Sequence, residues 1–146
     1  MKTPQFASVF IFCMLFGFQS VQAQSESGIL GTWFNAEKSV KIEILKSGSK
    51  YMGKIICLDL KGRDPKTILD SKYSDPALQK RPIMGLTILE NLSFKNEIWE
   101  GGKIYDPESG KSYSCELKLK NKEILEVKGY LGFSWIGKTV EWSKPN

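Results

Sequence analysis

Residues 111–120 alternate without a break. Tyr113, Cys115, Leu117 and Leu119 fall on one face, and Ser114, Glu116, Lys118 and Lys120 fall on the other. A period of two over that length is a strand with one face buried and one wet, which places it in an antiparallel sheet. The residues before it supply a partner. Residues 97–105 have strand character, and Asp106-Pro107-Glu108-Ser109-Gly110 joins the two runs. Pro107 presets its backbone angle for a turn, and Gly110 takes the positive φ that closes a bulged hairpin. Further runs of strand character lie at 30–35, 40–45, 51–58, 84–92, 124–133 and 136–143. Roughly eight antiparallel strands in a domain of about 120 residues predict an all-β fold, an up-and-down barrel whose closure removes exposed edges. A two-sheet sandwich is the alternative.

The exception is a long connection over 59–82, which holds Pro65, Pro76 and Pro82 with only scattered apolar residues. An irregular connection of this length is uncommon in a compact domain and is often functional. Within it, Asp75 as N-cap and Pro76 at the first position predict one helical turn. Asp59, Asp64, Asp70 and Asp75 lack the alternating ligand pattern and closing glutamate of a calcium loop, so they read as turn-forming and capping residues.

The N-terminus carries the marks of a leader: Lys2, an apolar run over 6–18, and Val21-Gln22-Ala23 as a small-residue cleavage signal. The expectation is a signal peptide over 1–23, removed to leave a single barrel domain over 24–146, exported to the periplasm or beyond. The apolar run is too short to anchor the chain in a bilayer, and Phe12 before Cys13 is unsuited to lipid attachment. Residues 24–28 read as a polar tail. Two cysteines then remain, Cys57 and Cys115. An oxidising compartment permits a disulfide between them. Both sit in strand-like runs, so two buried thiols are equally consistent with the sequence.

The chain has no histidine, which excludes Ser-His and Cys-His nucleophile pairs and imidazole metal sites; two cysteines are too few for an all-thiolate zinc site. The net charge of +5 is built from lysines interspersed with acids. That pattern is the wet face of strands, not a nucleic-acid patch. There is no nucleophile elbow, phosphate loop or dinucleotide fingerprint, and no spacing selects a carboxylate pair. No cofactor or metal is expected, and the composition leans away from an enzyme.

A set of short motifs spans nearly the whole mature chain in order. They are Gly31-Thr32-Trp33; Gly53-Lys54-Ile55; Asp75-Pro76-Ala77-Leu78; Arg81-Pro82 with Gly85-Leu86; Trp99 with Gly101-Gly102-Lys103-Ile104-Tyr105-Asp106-Pro107; Gly110-Lys111 with Tyr113; Gly129-Tyr130-Leu131-Gly132; and Gly137-Lys138-Thr139 with Trp142. Together they resemble a bacterial family of small exported proteins known as domain of unknown function 2147. The resemblance implies a lipocalin-like barrel with no assigned activity. This chain departs from the pattern at Tyr73-Ser74-Asp75, where similar proteins read Asn-Pro-Asp, and at Gln79 and Lys138, where they carry arginine. The Gly31-x-Trp33 start also resembles the first strand of lipocalins and other calycin barrels. There the tryptophan closes one end beneath a basic residue of the last strand. Lys138 is the expected counterpart, since it shares strand parity with Val140 and Trp142.

Aromatic residues concentrate on the strands, which is compatible with a ring-lined cavity or with a filled core. Asp75, Arg81, Trp99 and Tyr105 are the expected ligand-binding residues, and the long connection is the expected lid. Arg81 reads equally well as a clamp holding that connection to the barrel. The expected function is non-enzymatic binding of a small apolar or amphipathic molecule or an envelope component. A second expectation is a filled barrel that docks another envelope protein through an exposed patch around Ile83, Met84 and Leu86.

Overall fold

A computed structural model describes residues 25–146; the expected signal peptide over 1–23, with Cys13, lies outside the described residues. Eight strands form a closed antiparallel barrel in which each is hydrogen-bonded to its sequence neighbours: β1 Gly31–Phe34, β2 Val40–Ser47, β3 Lys50–Leu58, β4 Thr87–Lys95, β5 Ile98–Asp106, β6 Lys111–Leu119, β7 Ile124–Tyr130 and β8 Gly137–Ser143. Closure is thin, since β1 meets β8 through the single pair Phe34↔Ser143.

The interior is packed over most of its length. Trp33, Ile42, Ile44, Tyr51, Leu89, Leu92, Trp99, Cys115, Leu117, Leu125, Val127 and Trp142 are buried. Each fully buried large apolar side chain contributes about 1.5–3 kcal/mol, so this packed column is the main source of stability. Two glycines make room where strands crowd. Gly53 and Gly102 sit against Leu89 and Leu92, and a side chain at Gly102 would also meet the Glu90 carbonyl.

In an up-and-down barrel the connections alternate between ends, and the two ends here are built differently. One end is shut by the segment preceding β1. Ile29 is wholly buried, the Trp33 indole donates to the Ile29 carbonyl at 2.8 Å, and the Trp99 indole donates to the Glu26 carbonyl at 3.3 Å. The expected polar tail is therefore a plug. Lys144 lies over the Trp33 ring at 5.1 Å, whereas Lys138 is exposed. Lys138 has the expected parity, opposite Gly129, but it lies at the far end of the barrel from Trp33. The cation that covers the tryptophan is the one just past β8.

The other end gathers the β1–β2, β5–β6 and β7–β8 turns and the long connection. Pro65–Thr67 and Pro76–Leu78 are single 3₁₀ turns, capped by Asp64 and Asp75, whose carboxylates accept from Lys66 N–H and Ala77 N–H. Gly110 adopts φ +72°, and a side chain there would run into the Lys72 carbonyl. The β5–β6 turn and the long connection are thus in direct contact.

Candidate functional site

Two bulges decide which residues meet. In β5, Trp99 pairs with Leu117 but Gly102 pairs with Cys115, so one residue is extra, and Gly101 takes it up at φ +76°. Trp99 therefore faces the core. Tyr105, six residues on, faces outward with its neighbour Ser112. In β3 the pairs Lys41↔Cys57 and Ile42↔Ile55 leave Ile56 extra. Cys57 then faces out with Lys41, while Cys115 points into the core. Both are free thiols, and they lie on opposite faces of the wall, which is why no disulfide joins them.

The outward Tyr105 is covered by the long connection, and a polar cluster forms between them. Asp70 is wholly buried. Its Oδ2 accepts from Arg81 Nε at 2.9 Å and Nη2 at 2.8 Å, and its Oδ1 accepts from the Tyr105 hydroxyl at 2.5 Å. The Arg81 guanidinium lies over the Tyr73 ring at 4.2 Å, and Tyr73 meets Tyr105 edge-on at 5.3 Å. Backbone bonds fix the same residues: Asp70 N–H donates to the Arg81 carbonyl at 3.0 Å, and Tyr73 N–H donates to the Asp70 carbonyl at 3.1 Å. Gln79, at a position where arginine was the expected pattern, donates its side-chain amide to the Tyr73 carbonyl at 2.8 Å. Burial, reinforced by the bond to Asp70, raises the Tyr105 hydroxyl well above the usual tyrosine range.

Beside this cluster lies a hollow of about 120 Å³ lined by Tyr73, Arg81, Thr87, Ile88, Glu90, Lys103, Tyr105 and Ser112. Cross-strand pairing puts Glu90 opposite Lys103 and Tyr105 opposite Ser112. The hollow is therefore on the outside of the barrel wall, beneath the long connection, and not in the lumen. A second hollow, of about 460 Å³, lies outside β1–β3 and is lined by Phe34, Lys38, Ser39, Lys41, Cys57, Leu58 and Asp59.

Of the four expected ligand-binding residues, Arg81 and Tyr105 come together and the other two do not. Asp75 is exposed and spends its carboxylate on the cap of Pro76–Leu78. Trp99 is wholly buried at the plugged end. The carboxylate that Arg81 holds is Asp70, which the sequence marks only as another loop aspartate. Its signal is its place: it is the aspartate flanked by Ile68-Leu69, and Leu69 bridges to Pro82 beside Arg81. Ile83, Met84 and Leu86 are partly buried against the core, so they form no exposed patch. Among the described residues, no three potential metal-ligating side chains cluster, and no helix is long and apolar enough to cross a membrane.

A family model described as an uncharacterized protein conserved in bacteria (DUF2147) matches residues 31–144. No curated protein matches the chain. Among solved structures, the chain is similar to protein HP1028 from the human pathogen Helicobacter pylori, described as belonging to the lipocalin family. The TM-score is 0.71 at 24% identity, over 80% of this chain and 82% of that one. At that identity the likeness speaks to the fold.

Proposed function

From the premise that the chain belongs to the DUF2147 family and folds as a lipocalin-like barrel, we propose that it is a non-catalytic binding protein for a small amphipathic molecule. The core residues from Trp33 to Trp142 are buried against one another, which favours binding at the end that carries the long connection. The observation that carries this reading is the hollow of Arg81 and Lys103. Its volume of about 120 Å³ accommodates about four waters' worth of ligand. That suits a carboxylate or phosphate head and is well short of the ~300 Å³ of a site that swallows a whole drug-sized ligand. A guanidinium already seated on an aromatic face, an ammonium and a serine hydroxyl surround it, with Glu90 as the one carboxylate in the lining. Charge-assisted bonds to such a head are the stronger class of hydrogen bond.

The same lining argues against catalysis. Tyr105 is pushed up by burial, away from a base that works near neutrality. The test is calorimetric titration with sodium decanoate and, separately, decyltrimethylammonium. Lys103 is exposed, so Lys103→Glu leaves the fold intact. The expected result is that decanoate binds, the cation does not, and K103E weakens decanoate by more than about tenfold through loss of a charged contact. Equal affinity for both amphiphiles, or none for decanoate, overturns the reading.

A further inference from the structure

The β7–β8 connection is the most apolar exposed surface among the described residues. Leu131, Phe133, Trp135 and Ile136 are 69%, 60%, 74% and 65% exposed. They are displayed by an ordered turn. Gly132 takes φ +77°, Ile136 N–H donates to the Phe133 carbonyl at 3.1 Å, and the Phe133 and Trp135 rings stack 4.4 Å apart at 10°. Scattered apolar residues on a surface need no account, but four large ones on six consecutive positions do. The charge along this stretch of chain is one-signed, with Lys128 engaged by Glu116 of β6 at 3.2 Å and Lys138 left at the turn. From Val127 to Val140 the only ionisable side chains with formal charge are Lys128 and Lys138, with no aspartate or glutamate between Glu126 and Glu141. Lys138 follows the turn directly and is exposed.

An apolar tip with tryptophan and phenylalanine, with the exposed Lys138 beside it and no acid in its own connection, is complementary to an anionic lipid surface. Amphipathic rings settle at the headgroup level, and cations gain from the negative surface potential. A bilayer also accepts such a tip without a shaped partner. We propose that the 131–136 turn docks the barrel onto an anionic membrane surface, inserting Phe133 and Trp135 while Lys138 meets the lipid headgroups. This goes beyond the decanoate site and does not use its residues.

Tryptophan fluorescence reads it selectively. Of the four tryptophans, Trp33, Trp99 and Trp142 are buried, so an environment change on docking reports Trp135. The experiment is co-sedimentation and emission of residues 24–146 with vesicles of phosphatidylcholine alone, and with roughly equal parts phosphatidylglycerol. Docking predicts partition into the anionic vesicles with a blue shift, quenching by brominated lipid, and weakening in high salt. Phe133→Ser with Trp135→Ser abolishes binding, and Lys138→Glu weakens it by about fivefold or more. Both variants keep the wild-type melting temperature and bind decanoate as before, so failure here is separable from failure of the decanoate site. Absence of vesicle binding, or binding unchanged in the double variant, overturns the proposal. So does self-association without lipid that F133S/W135S abolishes, since it assigns the turn to a second copy.

Discussion

Arg81→Met removes the guanidinium from Asp70 while keeping most of the stem. Asp70 is wholly buried, and the Arg81 side chain is 30% exposed. Breaking a buried ion pair from one side costs about 3–5 kcal/mol, because the remaining charge loses its partner. Water reaches this arginine, so the low end applies, about 3 kcal/mol. In a domain of this size that lowers the melting temperature by roughly 10 °C. Tyr105→Phe deletes the other bond to the carboxylate and costs about 1.5–3 kcal/mol. Asp70→Leu with Arg81→Met removes both charges together. It is expected to be milder than the sum of the single changes by about 1–3 kcal/mol, the coupling typical of contacting residues. Urea unfolding followed by tryptophan emission measures all five proteins: wild type, D70L, R81M, D70L/R81M and Y105F. Limited proteolysis of R81M should cut first within 59–82, since the clamp holds that connection to the wall. A loss under about 1 kcal/mol for R81M, or additivity within ~0.5 kcal/mol, refutes the clamp.

Burial pushes the Cys115 thiol up to about 12 from its ordinary value of 9.0. The folded state therefore keeps a proton that the unfolded chain releases. Stability is fully present below pH 9 and falls between pH 9 and 12, by an amount on the order of 4 kcal/mol; Cys115→Ala should flatten that part of a stability–pH curve. Iodoacetamide at neutral pH should label Cys57, which faces out, and reach Cys115 only in denaturant; equal labelling in the native protein contradicts the opposite-face assignment. Gly110→Ala should cost more than about 2 kcal/mol, since strain at positive φ adds to the collision with Lys72. Gly48→Ala, at φ +61° with open space around it, should cost only about 1 kcal/mol, so equal melting temperatures refute the contact. Ile29→Ala should cost about 2–5 kcal/mol as a core deletion, although Ile29 lies outside every strand.

The barrel is legible in the sequence because its strands obey period two and its turns carry Gly, Pro and Asn at the demanding positions. Asp75 with Pro76 marks a helical turn for the same local reason. Tertiary register is not legible. Trp99 and Tyr105 share parity in sequence and would share a face in a regular strand, but the Gly101 bulge turns one inward and the other outward. The Ile56 bulge does the same to Cys57 relative to Ile55. A bulge adds one residue to a strand without changing its composition, so the pattern of residue types does not reveal it. Asp70 and Asp75 are alike in type and setting; one is buried because the chain doubles back at Leu69 and Pro82, a long-range event. Lys138 and Lys144 differ in which end of β8 they occupy. The sequence places both near the strand but does not say which end holds Trp33.

Residue-resolved NMR during a decanoate titration tests the binding account most directly. It predicts progressive shifts at Tyr73, Arg81, Lys103, Tyr105 and Ser112, with the signals of Trp33, Leu117 and Val127 unmoved. Shifts centred on those core residues would put the ligand inside the barrel and contradict the account.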